Sequence, residues 1–191
     1  MRGLGSGLAA AAWIAAAAIA QAAPNDIVAQ DLAERSSEIH WPVGFAPPAV
    51  DMFSHNAATI HASCARVWDA LIAAPAWPQW YSNSHDVRIA DGAARLTSKA
   101  TFEWETFGHP IRSRVAEFTA ERRLAWFGDG PNVQAYHTWL LQPASAGCLV
   151  ITEEESRGPA AQQGRKTDPG ALHRGHDLWL DSLEKLVAGR R

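Results

Sequence analysis

From Pro169 to Ala188 the chain reads PGALHRGHDLWLDSLEKLVA. Leu172, His176, Trp179, Leu183 and Leu186 recur at steps of three and four, which puts them on one face of a helix. Arg174, Asp177, Asp181, Glu184 and Lys185 fall mostly on other faces. Asp168 is placed to cap the start, Pro169 suits the first helical position, and Gly189 suits the position after the last turn. The spacing therefore predicts one long amphipathic helix with a broad, partly aromatic inner face that needs a partner.

That partner is expected upstream. Asp51 to His61 reads as a strand. Ser63 then caps a short helix through Ala73, ended by Pro75, and Trp77-Pro78-Gln79-Trp80-Tyr81 forms a second short helical turn. Six β-like segments follow: His85 to Ala90, Leu96 to Phe107, Ile111 to Phe118, Arg123 to Phe127, Val133 to Leu141 and Cys148 to Glu155. The gaps between them are hairpin-sized, so the sheet is expected to be an antiparallel meander. Gly158 to Thr167 reads as a loop into the long helix. The class is α+β: a seven-stranded curved antiparallel sheet around a long C-terminal helix, with two short helices after the first strand. Such a sheet and helix enclose a container.

The chain has 191 residues, 47% hydrophobic and 19% charged, with a formal net charge of −3. These values describe one well-filled domain and give no basic surface for nucleic acid. Nine Trp against two Tyr point to aromatic walls around a core or a ligand. Residues 1–22 form a segment of their own: Arg2, an alanine-rich apolar run from Leu8 to Ala20, and a small-x-small site at Ala20-Gln21-Ala22. This is the pattern of a cleaved signal peptide, which implies a periplasmic or secreted protein with no stable membrane anchor after cleavage. Residues 23–48 are expected to form a leader that lies against the domain through Trp41 and Phe45, with a loose linker as the alternative for Ala23 to Ile39. Residues 49–191 form the main domain.

Several pieces together resemble the helix-grip fold of the START-like (SRPBCC) superfamily, which includes lipid-transfer domains, pollen allergens and polyketide cyclases. They are Trp77-Pro78-x-Trp80-Tyr81, Phe102-x-Trp104-x-Thr106-Phe107-Gly108-x-Pro110-Ile111, Leu124-Ala125-Trp126, Tyr136-His137-x-Trp139, Glu153-Glu154-Glu155 with Gly158, and His176-Asp177-x-Trp179-Leu180. The resemblance implies a fold far more than a function. It also implies that the first and last strands are antiparallel neighbours. Cys64, just after the first, would then lie near Cys148 at the start of the last, as a disulfide or as two buried thiols.

Among chemical groups, the eight His show no H-x-x-x-H or H-E-x-x-H spacing. His173 and His176, three apart on the helix, would need a third ligand from the sheet, so neither a metal nor a cofactor is expected. His137 and Trp139 share one strand face, and Tyr136 points the other way. Closing a hairpin over Pro143 to Gly147 puts His137 opposite Thr152, with Glu154 on the same face and His176 approaching from the helix. That trio is either a general acid–base site or a set of hydrogen-bonded core polars. The residues expected to line a ligand site are Trp80, Tyr81, Trp104, Phe107, Tyr136, His137, Trp139, His176 and Trp179. The expected partner is a small hydrophobic or aromatic molecule. Three functions follow: a binding protein, a cyclase or dehydratase using His137 or His176, and a lipid carrier. The sequence does not set the oligomeric state.

Overall fold

A computed structural model of the protein describes residues 26–47 and 50–189; the signal-like segment lies outside the described residues. After α1 (Ile27–Glu34) come β1 (Met52–Ile60), α2 (Cys64–Ile72) and a 3₁₀ helix (Ala74–Gln79). The meander is β2 (Ser84–Ile89), β3 (Thr101–Thr106), β4 (His109–Thr119), β5 (Arg123–Gly130), β6 (Val133–Ala144) and β7 (Gly147–Arg157). Two helices close the chain, α3 (Pro159–Thr167) and α4 (Ala171–Ala188).

All seven strands form one antiparallel sheet in the order β1-β7-β6-β5-β4-β3-β2. The sheet curves around α4 in the helix-grip arrangement. Trp179 of α4 is fully buried and meets Trp77, Tyr81, Trp104, Trp126 and Trp139 at centroid distances of 5.2, 4.2, 5.9, 6.3 and 5.0 Å. Edge-to-face and offset pairs of this kind each add about 0.5–1.5 kcal/mol beyond simple burial. The Trp77 indole N–H donates to the Leu71 carbonyl (3.0 Å), which satisfies its one polar atom and fixes the 3₁₀ helix against α2.

Cys64 at the start of α2 is bonded to Cys148 near the start of β7. Ser63 caps α2 by accepting from the Arg66 amide.

Residues 26–47 are packed, not loose. Asp26 caps α1 by accepting from Ala29 N, and α1 lies on β1, an edge strand of the sheet. The segment after α1 crosses the outer sheet face, where Trp41 meets Phe53 and Tyr136, and Phe45 meets Phe127 and Tyr136.

The structure corrects three expectations. The final helix begins at Ala171, and Asp168 instead ends α3 while pairing with Arg174 (2.5 Å). At the other end Gly189 follows the last residue of the helix, Ala188, as expected. The loop expected at Gly158 to Thr167 is α3, which starts on Pro159 and ends with Arg165 and Lys166 in its last turn. Strand β3 begins at Thr101, because Leu96 instead donates its amide to the Ile72 carbonyl and sinks into the core.

Candidate functional site

Between the concave sheet face and the α3–α4 corner lies a cavity of about 330 Å³. Its sheet wall is built by period-two alternation: Trp104 and Thr106 from β3, Trp126 and Gly128 from β5, Ala135 and His137 from β6, Glu154 and Ser156 from β7. The helical wall comes from Ala160, Ala161 and Gly164 of α3 and Ala171 and Leu172 of α4. Small residues on the helices leave the space, and large aromatics on the sheet give it a flat apolar lining. The Trp104 indole is turned by donating to Ser113 Oγ (3.0 Å).

Phe107 guards the rim. It sits in the β3–β4 turn with φ +50°, which breaks the alternation that would have put it on the face opposite Trp104. Its ring folds back against α4 at Gly175, where an added Cβ would meet the ring at 2.3 Å. Both Trp104 and Phe107 therefore border the cavity.

Three polar groups meet at one side of the cavity. His137 Nδ1 stands 3.3 Å from Glu154 Oε2, and His176 Nε2 stands 3.4 Å from the same oxygen. Their ligand atoms all lie within 4.8 Å of one another. His137 and His176 are buried, while Glu154 is partly open to the cavity. Thr152 Oγ1 has one proton and donates it to the Thr138 carbonyl (3.0 Å), so it accepts from His137 Nε2–H (2.8 Å). Ser156 donates to Glu154 Oε1 (2.9 Å), and Ser54 Oγ bonds His176 Nδ1 (2.6 Å). Burial holds the His137 pKa well below the ordinary imidazole value, and the neighbouring His176 adds to the effect. His137 is neutral at pH 7, with its lone pair facing Glu154.

The register behind this trio differs from the expected one by two residues. The β6–β7 turn is tight at Ala144 and Gly147, so His137 pairs directly with Glu154 and Trp139 with Thr152. Parity is kept, and the His137–Thr152 bond runs diagonally across the pair.

Of the residues expected to line a ligand site, Trp104, Phe107 and His137 do so, with Glu154 beside them. His176 is buried behind Glu154. Tyr81 and Trp139 are fully buried core residues, like Trp179; Tyr81 stacks on Trp179 and donates its hydroxyl to the Gly175 carbonyl (3.3 Å). Trp80 borders a separate surface groove with Arg66 and Leu186. Tyr136 faces outward under Trp41 and Phe45, as alternation requires once His137 points inward. Glu153 and Glu155, on either side of Glu154, are fully buried on the outer face, paired with His55 and Arg157. Missed in the sequence were Trp126, Ser156 and the whole α3 wall. Pro159 followed by Arg165-Lys166 was the available signal for α3.

The two helix histidines do not converge: His173 turns away to Asp31 (3.0 Å), while His176 meets His137 and Glu154 from the sheet.

The fold has counterparts in solved structures. The hypothetical protein jhp0584 from Helicobacter pylori is 29% identical, with a TM-score of 0.72 over 82% of this chain and 98% of that one. The di-domain ARO/CYC StfQ of the steffimycin biosynthetic pathway shares 12% identity and a TM-score of 0.61 over 73% of this chain and 52% of that one. Truncated norcoclaurine synthase from Thalictrum flavum shares 15% and 0.57, covering 73% and 94%. At these low identities the last two show the fold alone. No curated protein matches the chain. The model of the family described as polyketide cyclase / dehydrase and lipid transport matches residues 54–188, which span the sheet, the cavity and the grip helix, and the chain belongs to that family.

Proposed function

We propose that this protein binds a small hydrophobic or aromatic molecule in the cavity between the sheet and the α3–α4 corner. The observation that carries the reading is the contrast within one cavity: a lining of Trp104, Trp126, Ile111 and Leu172, with His137 and Glu154 at one side. Apolar walls supply affinity and a few convergent polar groups set orientation. The volume of about 330 Å³ lies near the lower end of the range for small-molecule sites, which favours a compact ligand over a two-chain lipid. Titration calorimetry with a panel of one- to three-ring aromatics, beginning with 1-naphthol, tests it. Ala135 lies on the inner face beside the Gly128 backbone, so Ala135→Phe fills the cavity. One-to-one binding is expected for the native chain and its loss in A135F. Binding by no member of the panel, or equal binding by A135F, rejects the reading.

A second reading is a cyclase or dehydratase, favoured by the neutral His137 beside a carboxylate in an apolar site. In that case His137→Asn keeps ligand affinity and loses turnover of a polyketide-like substrate. Export is part of the proposal too. The Cys64–Cys148 bond supports it, since disulfides persist in oxidising compartments.

A further inference from the structure

Hydrogen-bonding capacity around His137, Glu154 and His176 is distributed in an uneven way. Each group makes its one hydrogen bond on the side facing away from the centre. His137 Nε2 bonds Thr152, Glu154 Oε1 accepts from Ser156, and His176 Nδ1 bonds Ser54. The three remaining atoms, His137 Nδ1, Glu154 Oε2 and His176 Nε2, face one another. His176 Nε2 is buried and makes no hydrogen bond. With Nε2–H spent on Thr152, the lone pair of His137 Nδ1 points at the carboxylate oxygen. A buried acceptor 3.3 Å from a partly buried carboxylate oxygen is placed to share something electropositive between them.

We propose that His137 Nδ1, Glu154 Oε2 and His176 Nε2 bind a divalent first-row transition ion, with zinc the best geometric match. Two nitrogens and one carboxylate oxygen are the donor set of zinc sites that keep an open position, and of two-His-one-carboxylate iron sites. Donors at about 2.0–2.1 Å from a tetrahedral ion stand about 3.3–3.4 Å apart. Two edges of the triangle already have that length, at 3.3 and 3.4 Å. The third, between the two imidazoles, is within 4.8 Å and has to shorten by about 1.5 Å at most, which a ring rotation supplies. The outward hydrogen bonds are the supporting shell such a site requires: each fixes a ring or carboxylate and, for histidine, which nitrogen is free to ligate. The ligands come from three different elements, β6, β7 and α4, so the site exists only when the helix is seated in the sheet.

The open positions face the cavity past Glu154 and His137, both of which border it. The inference rests on reading that cavity as a ligand site, and it takes the place of His137 as a free base. It also narrows the ligand: an aromatic molecule carrying an oxygen donor, such as a phenol, enol or carboxylate, that reaches the ion while its rings lie on Trp104 and Trp126.

The test uses the purified full chain, stripped with a chelator and titrated with Co²⁺ and Zn²⁺. One ion per chain is expected, with visible Co²⁺ absorption of a low-coordinate site that Zn²⁺ abolishes. Glu154→Gln, nearly isosteric, is expected to weaken Zn²⁺ at least about tenfold, and Ser54→Ala to weaken it by about 10–100-fold through loss of the supporting bond. His61→Ala, an exposed histidine paired with Glu184, is expected to change nothing. Circular dichroism checks that each variant is folded. Absence of one-to-one binding, or equal affinity in E154Q and native protein, overturns the proposal. The cavity reading is separated by the aromatic panel: stripped protein that binds 1-naphthol but no ion keeps the cavity and loses the metal. Protein that binds both shows 1-hydroxy-2-naphthoate at least about tenfold tighter with Zn²⁺ than without, and equal affinity in the two states rejects the oxygen-donor ligand.

Discussion

Phe107 and Gly175 show how a single contact shapes the cavity rim. The ring lies where a side chain on residue 175 would be, so the helix carries its least favourable ordinary residue at the point of closest approach. Gly175→Ala brings two opposed effects. It favours α4 by up to about 1 kcal/mol of helix propensity, and it presses on the far end of a ring that is 37% exposed. The expected outcome is a midpoint of thermal unfolding that is unchanged or raised, together with faster ligand dissociation measured by stopped flow. A large loss of stability would mean that Phe107 is held as core and does not act as a movable rim. Ligand chemistry at this scale was legible only in part. His137, Glu154 and His176 are named by strand parity and helix spacing, but nothing in a parity argument says that three hydrogen bonds pull their far atoms outward. Ser54 and Ser156, which do two of those tasks, look in the sequence like ordinary strand serines.

At the level of elements, α1 and the segment after it rest on a chain of buried ionisable groups. Asp31 bonds His173 of α4, His55 bonds Glu153 (2.7 Å), and the same Glu153 carboxylate accepts from the Ser36 amide. The hydrogen bond to Glu153 raises the His55 pKa above its ordinary value of 6.5, against the opposing effect of burial. The folded state therefore binds that proton more tightly than the unfolded one. The stability it confers is fully present below about pH 6.5 and is lost as pH rises through the folded value. Urea unfolding of native protein and His55→Asn at about pH 5.5 and about pH 9 should show the larger native advantage at the lower pH. An advantage that grows with pH would contradict this assignment. Among the elements, α4 was legible because its apolar positions keep a helical period over several turns. The helix α3 was not, because its sequence is polar and glycine-containing and its one buried residue is Ala161. Its helical state is selected by the cavity wall it completes, and an isolated reading of PAAQQGRKT carries too little hydrophobic signal to show that.

For the molecule as a whole, the order of strands joins the two ends of the sheet sequence at β1 and β7, and the Cys64–Cys148 bond fastens that closure across 84 residues. In the chain-entropy description a loop of that length contributes roughly 4–5 kcal/mol by restricting the unfolded chain. Replacing both cysteines with alanine is expected to lower the free energy of unfolding by about that amount, read from urea denaturation, with the same circular dichroism spectrum in the absence of denaturant. A loss under about 1 kcal/mol would show that the reduced chain is already constrained there by the β1–β7 pairing. Sheet and grip helix were readable from hydrophobic period and turn spacing, which act locally. The covering of the outer sheet face was not, since it depends on Trp41 and Phe45 meeting Phe53, Phe127 and Tyr136 from far along the chain. That covering has a practical bearing on where the folding unit starts. The stretch recognisable by family likeness opens at residue 54, inside β1. A gene fragment cut at that boundary would strip Glu153 of its Ser36 partner, uncover the edge strand and bare an aromatic patch to water. The cloning boundary that respects this molecule lies before Asp26, well upstream of the one that homology alone would suggest.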